Sequence, residues 1–154
     1  MNVRITLGIV MLCIITAIGV WSYKHFTQEV NGKTYREWHQ LRTDEFKEIR
    51  RNFAPVDDMA KGSLSFQPIL LEKYAIRLHQ AASELPDLFI NASPWGDAKE
   101  TIWAPGSDFK TKLGQFVLST NDLIENPPKT AGDLRQRVEI IRTQCIECHQ
   151  SYRD

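Results

Sequence analysis

From Leu134 onward the apolar residues recur at intervals of four and three: Leu134, Val138, Ile141, Cys145 and Cys148. This is the spacing of a seam along one side of an α-helix. The last two members of the seam are thiols, so a fold built on it must turn both cysteines toward the inside of a helix packing. Thr130, with Asp133 three residues on, opens this helix with a capping pattern. The stretch before it keeps the same rhythm, from Ser107 as N-cap through Phe109, Leu113, Phe116, Thr120 and Leu123 to the stop at Asn126-Pro127-Pro128.

Two more helices precede these. Trp38, Leu41, Phe46, Ile49 and Phe53 follow helical spacing over about residues 34–53, with Thr34 and Glu37 as a capping box. Pro55 and Gly62 bound the loop expected after it, which would contain Met59. Leu71, Tyr74, Ala75, Leu78, Ala82 and Leu85 mark a helix over about residues 66–85, ended by Pro86. Residues 86–106 are rich in Pro, Gly, Asn and Ser and read as a long connection with a helical turn around Ile102-Trp103. No window alternates with period two, so no sheet is expected. Four amphipathic helices joined by three turns predict an all-α fold, an antiparallel up-down-up-down four-helix bundle over residues 34–154.

Ahead of the bundle, Ile5 to Tyr23 is a run of 19 residues without a charge. As a helix it would span roughly 28 Å, close to the thickness of the hydrocarbon layer. Trp21 and Tyr23 stand at its outer end, where amphipathic rings favour the headgroup region. A cleaved signal peptide is the rival reading, but Gly19-Val20-Trp21-Ser22 is a poor cleavage site. The expected organisation is therefore an N-terminal transmembrane anchor over residues 1–23, a linker over 24–33 and the bundle over 34–154. Cys13, inside the apolar run, reads as a small hydrophobe facing lipid.

Charge and composition remove other classes. Nineteen Lys and Arg balance nineteen Asp and Glu, so no basic excess is available for nucleic acid. Three cysteines are too few for a disulfide scaffold, and 42% hydrophobic residues are too many for a disordered chain.

Cys145-Ile146-Glu147-Cys148-His149 is a C-x-x-C-H sequence, the attachment signature of c-type haem. Thiols at i and i+3 project from one side of a helix, where both can add to the vinyl groups on one haem edge. His149, the next residue, then turns its imidazole toward the iron. A structural zinc site would need a second ligand pair, and a thioredoxin-type pair would sit at a helix N-terminus beside a strand. The reading is one covalent haem c per chain, with its iron held by His149.

The ending Cys145 to Arg153, with its Tyr152-Arg153 pair, resembles the closing motif of the cytochrome c′ family, the four-helix-bundle class of c-type cytochromes. Ile102-Trp103 followed by Phe109-Lys110, Leu85-Pro86 with Phe89, and Lys61-Gly62 resemble its upstream motifs. The resemblance covers residues 34–154. It implies that Arg42 stands near a haem propionate, that Phe46 lies over the open face of the iron, and that Arg153 lies near the proximal face. Phe46 cannot ligate iron, so the resemblance implies a five-coordinate, high-spin haem with His149 as its one protein ligand. Met59, His39, His79 and His25 are weaker claimants to a sixth position.

Electron transfer by a membrane-anchored haem protein is the leading expectation, with redox proteins as partners. Binding of NO or CO at the open iron is the alternative. An accessory subunit of a membrane redox complex is a third, and the resemblance is compatible with a homodimer. No pair of residues suggests enzymatic chemistry. Because haem c is attached outside the bacterial inner membrane, the haem domain is expected in the periplasm, on a single-pass anchor.

Overall fold

The computed structural model describes residues 3–154, with the side chains of residues 3–8, 21, 22 and 24–26 outside the description. The helices are α1 (Val3–Phe26), α2 (Tyr35–Lys61), α3 (Pro68–Leu88), α4 (Phe109–Glu125) and α5 (Ala131–Tyr152), with a 3-10 turn at Glu100–Trp103. Helix α2 packs on α3, α3 on α4, α4 on α5, and α5 returns to α2. That closed order of neighbours is the expected up-down-up-down bundle.

The seams converge on one core. Leu78, Leu85, Leu134 and Val138 are completely buried, and Leu113, Phe116, Leu123 and Ile141 nearly so. Burying a side chain of this size stabilises the fold by about 1.5–3 kcal/mol, so the seams supply the main driving force. The expected caps form. Thr34 Oγ1 accepts from the Glu37 amide at 3.2 Å while Glu37 Oε2 accepts from the Thr34 amide at 2.7 Å. Thr130 Oγ1 accepts from the Asp133 amide at 3.1 Å.

Helix α2 does not stop at Pro55 but runs to Lys61, with Gly62 as a left-handed cap at φ 84°. Proline inside a helix removes one backbone bond and costs about 3 kcal/mol. Complete burial of Val56, Met59 and Ala60 just beyond it outweighs that cost. Met59 is thus a core residue of a helix, not a loop residue. Likewise α3 passes Pro86 by two residues.

The expected linker contains a small sheet. Glu29–Val30 pairs antiparallel with Lys33–Thr34, around an Asn31-Gly32 turn with both φ values positive, 51° and 71°, the geometry that favours these two residues. Trp38 Nε1 donates to the Val30 carbonyl at 2.9 Å, and Lys33 Nζ lies 5.1 Å over the Trp38 ring. The hairpin is thereby fastened to the start of α2.

The transmembrane helix expected over residues 5–23 has no support here: among the described residues, no helix is long and apolar enough to cross a membrane. Within that run, residues 9–20 have described and exposed side chains. The side chains of Trp21, Lys24 and His25 lie outside the description.

Candidate functional site

The site forms where the last turns of α5 meet the first half of α2. Cys145, Cys148 and Tyr152 recur on the inward side of α5 and pack against the hydrophobic core, as the seam requires. Both thiols are free and partly buried. Burial, with Cys148 nearby, pushes the Cys145 thiol up to about 11. Burial also raises Cys148, against the opposing effect of Lys112. Both are therefore neutral thiols at pH 7, set one helical turn apart.

His149 follows on the same helix, with its side chain exposed at the edge of the site. Its pKa is lowered by burial first, then by the positive charges of Arg153 and Arg50. A neutral imidazole has a nitrogen lone pair to offer a metal. Opposite stands Phe46 of α2, with ring centroids 6.3 Å apart and planes at 70°. Phe46 is 38% exposed, so it borders the site at the surface and is not a core aromatic. Leu41, one of its seam partners, is also exposed.

An aromatic wall continues from Phe46. Phe89 lies 6.4 Å from it, Phe109 4.8 Å from Phe89, and Tyr152 5.2 Å from Phe109. Trp103 adds a ring 6.2 Å from Phe89 and donates through Nε1 to the Phe89 carbonyl at 2.9 Å. Tyr152 donates to the Asp108 carboxylate, fixing the end of α5 to the start of α4.

Arg42 lies one turn from Phe46 on α2 and is only 3% exposed. Its guanidinium donates to Ser93 Oγ at 2.7 Å and to the Ser93 carbonyl at 2.8 Å. Burial lowers its pKa to about 10, with no acid compensating. Among the described residues no acid pairs with it, so it is a buried cation held by Ser93. Arg153 is exposed and pairs with Asp97 Oδ2 at 2.8 Å. It reaches His149 through its charge and through its amide, which donates to the His149 carbonyl at 3.1 Å.

Of the other claimants to the iron, the three with described side chains have surroundings of their own. Met59 is thirteen residues from Phe46, about 20 Å along α2. His39 lies against Gly96, where a Cβ would stand 2.7 Å from Nδ1 of the imidazole. His79 is half-buried between α3 and α4, with Nδ1 3.1 Å from Thr120 Oγ1.

Sequence reasoning missed Ser93 and Asp97, whose side chains act from the long α3–α4 connection. Their only signal was a loop-forming composition, which marks a connection but not what it touches.

The donor set fits a covalently held haem. Two neutral thiols sit a turn apart on one side of a helix, a neutral imidazole follows them, apolar rings line the surroundings, and among the described residues no acid pairs with the buried arginine. The comparisons agree with that chemistry. The family model described as Cytochrome C′ matches residues 37–153. Cytochrome c-556 of Agrobacterium fabrum is 24% identical over 108 residues, covering 70% of this chain and 74% of that protein. Cytochrome c prime from Shewanella frigidimarina superposes with a TM-score of 0.73 at 23% identity, over 80% of this chain and 99% of that one. A nitrosyl complex of a variant of cytochrome c prime from Alcaligenes xylosoxidans does so with a TM-score of 0.73 at 20% identity, over 79% and 98%. With its bundle, its C-x-x-C-H ending and a family match spanning three quarters of its length, the chain belongs to the cytochrome c′ family of non-enzymatic haem proteins, whose membership implies covalent haem c.

Proposed function

We propose that this protein binds a small neutral diatomic gas, nitric oxide first, at one haem c held by Cys145, Cys148 and His149. The observation that carries the reading is the pairing of His149 with Phe46, a side chain without a lone pair to offer iron, in the position opposite. Bound haem supplies an iron that takes a diatomic ligand and exchanges single electrons. The chain's residues do the selecting. His149 offers its neutral nitrogen on one side, and Phe46 leaves the other side without a competing protein ligand. The Phe46 ring offers no hydrogen-bond donor, which favours a weakly polar diatomic over a ligand that needs polar stabilisation. The Alcaligenes nitrosyl complex is the support from relatives.

This ordering reverses the expectation from sequence, in which electron transfer to partner redox proteins led. Electron transfer remains the second reading, favoured by the exposure of Phe46 and Ile146 beside the site, which leaves a short route from site to surface. In either case the reading places the haem domain in the periplasm, as family membership suggests.

The test is a titration of the reduced holoprotein with NO, followed by its visible and vibrational spectra. The reading expects saturation at one NO per chain. Absence of any NO-dependent change overturns it in favour of electron transfer.

A further inference from the structure

Arg42 is held in a way that its role as a cation does not require. Ser93 is fully buried, and it receives two N–H groups of the guanidinium, one at Oγ (2.7 Å) and one at its carbonyl (2.8 Å). The Ser93 hydroxyl gives its own proton to the Asn91 carbonyl at 3.3 Å, so its lone pairs are turned to Arg42. Phe89 and Trp103 flank the guanidinium, with ring centroids 5.2 and 5.6 Å from its central carbon. A guanidinium has five N–H donors in a fixed plane. Two are used by Ser93, and among the described residues the other three have no acceptor. Charge-assisted bonds to a buried partner order such a group more firmly than exposed ones would.

We propose that Ser93 is the positioning residue for Arg42, fixing the guanidinium so that its remaining donors are presented to a carboxylate of the bound haem. The inference rests on the reading of Arg42 as the partner of such a carboxylate. It assigns the long α3–α4 connection a role in setting the haem's electrostatic surroundings, through one buried hydroxyl.

The experiment uses the full-length holoprotein and measures the midpoint potential against pH in Ser93→Ala, Arg42→Gln and the double variant. Ser93→Ala removes the hydroxyl but keeps the carbonyl that accepts the second bond, and helix content by circular dichroism checks that it folds. Arg42→Gln is expected to change the ratio of oxidised to reduced haem at fixed potential severalfold toward the oxidised form, because a nearby positive charge is lost. Ser93→Ala should move it in the same direction by less, and should add nothing once Arg42 is gone. Ser93→Thr, which keeps the hydroxyl, should return the potential toward that of the unmodified protein. A wild-type potential in Ser93→Ala beside a shifted Arg42→Gln overturns the positioning role. An equal effect of Ser93→Ala with and without Arg42 overturns it too. A wild-type potential in Arg42→Gln overturns the reading of Arg42 itself, and the proposal with it.

Discussion

The ring of Phe46 faces the imidazole of His149 edge-on, 6.3 Å between centroids, although the two residues lie near opposite ends of the domain's sequence. Antiparallel packing of α2 on α5 brings them together. The same register pairs Ala60 with Arg135, whose Nε donates to the Ala60 carbonyl at 3.0 Å, and Asp57 with Arg142, whose Nε lies 2.6 Å from Asp57 Oδ1. The site's two sides are thus set by bundle packing along the whole length of two helices.

Phe46→Met places a thioether where the ring now stands. The visible spectrum of the holoprotein should move from high spin toward six-coordinate low spin, and CO binding should weaken. An unchanged spectrum would mean that Phe46 does not stand over the iron.

His149→Ala removes the one protein ligand assigned to the iron. Holoprotein yield should fall sharply, and any haem that remains attached through Cys145 and Cys148 should show an altered spectrum. Recovery of a haem protein with the original spectrum would place the ligand elsewhere.

Leu78 is completely buried in α3. Leu78→Ala should destabilise the bundle by about 2–5 kcal/mol, the range for truncating a core leucine. Ile69 on the same helix is 84% exposed, and Ile69→Ala should change stability by less than about 0.5 kcal/mol. Urea unfolding of the two variants against the parent checks both, and a smaller loss for Leu78→Ala than for Ile69→Ala would contradict the packing.

The hydrogen bond from Tyr152 holds the Asp108 carboxyl below the usual aspartate range, with a smaller effect from Lys112. A carboxylate depressed on folding stabilises the protein above its unfolded pKa, and that contribution disappears as pH falls through the folded value. Tyr152→Phe should therefore lower the thermal midpoint at neutral pH. The gap to the parent should narrow as pH drops below about 4. A gap that widens in acid would contradict the assignment.

Much of this molecule is legible from spacing alone. The four-three seams of α4 and α5, the caps at Thr34 and Thr130 and the turn at Trp103 all follow from local patterns. The residues proposed to hold the haem share one short segment, so the motif carries its chemistry without help from the fold. What was not legible depends on tertiary contact. Pro55 marks a helix end by its own chemistry, yet burial of Val56, Met59 and Ala60 carries α2 past it. Leu41 and Phe46 share the spacing of the α2 seam but stand at the border of the site, where no neighbouring helix covers them fully. The hairpin at residues 29–34 depends on Trp38 reaching back to Val30. Ser93 and Asp97 act across the chain on Arg42 and Arg153, and no local pattern announces such partners.

The central claim is an iron site with one open side. The visible spectrum of the reduced holoprotein, recorded before and after CO is added, tests it most directly. The account predicts a broad high-spin spectrum that shifts on CO binding. A sharp low-spin α-band unmoved by CO would contradict it, because a second protein ligand would then occupy the side that Phe46 leaves open.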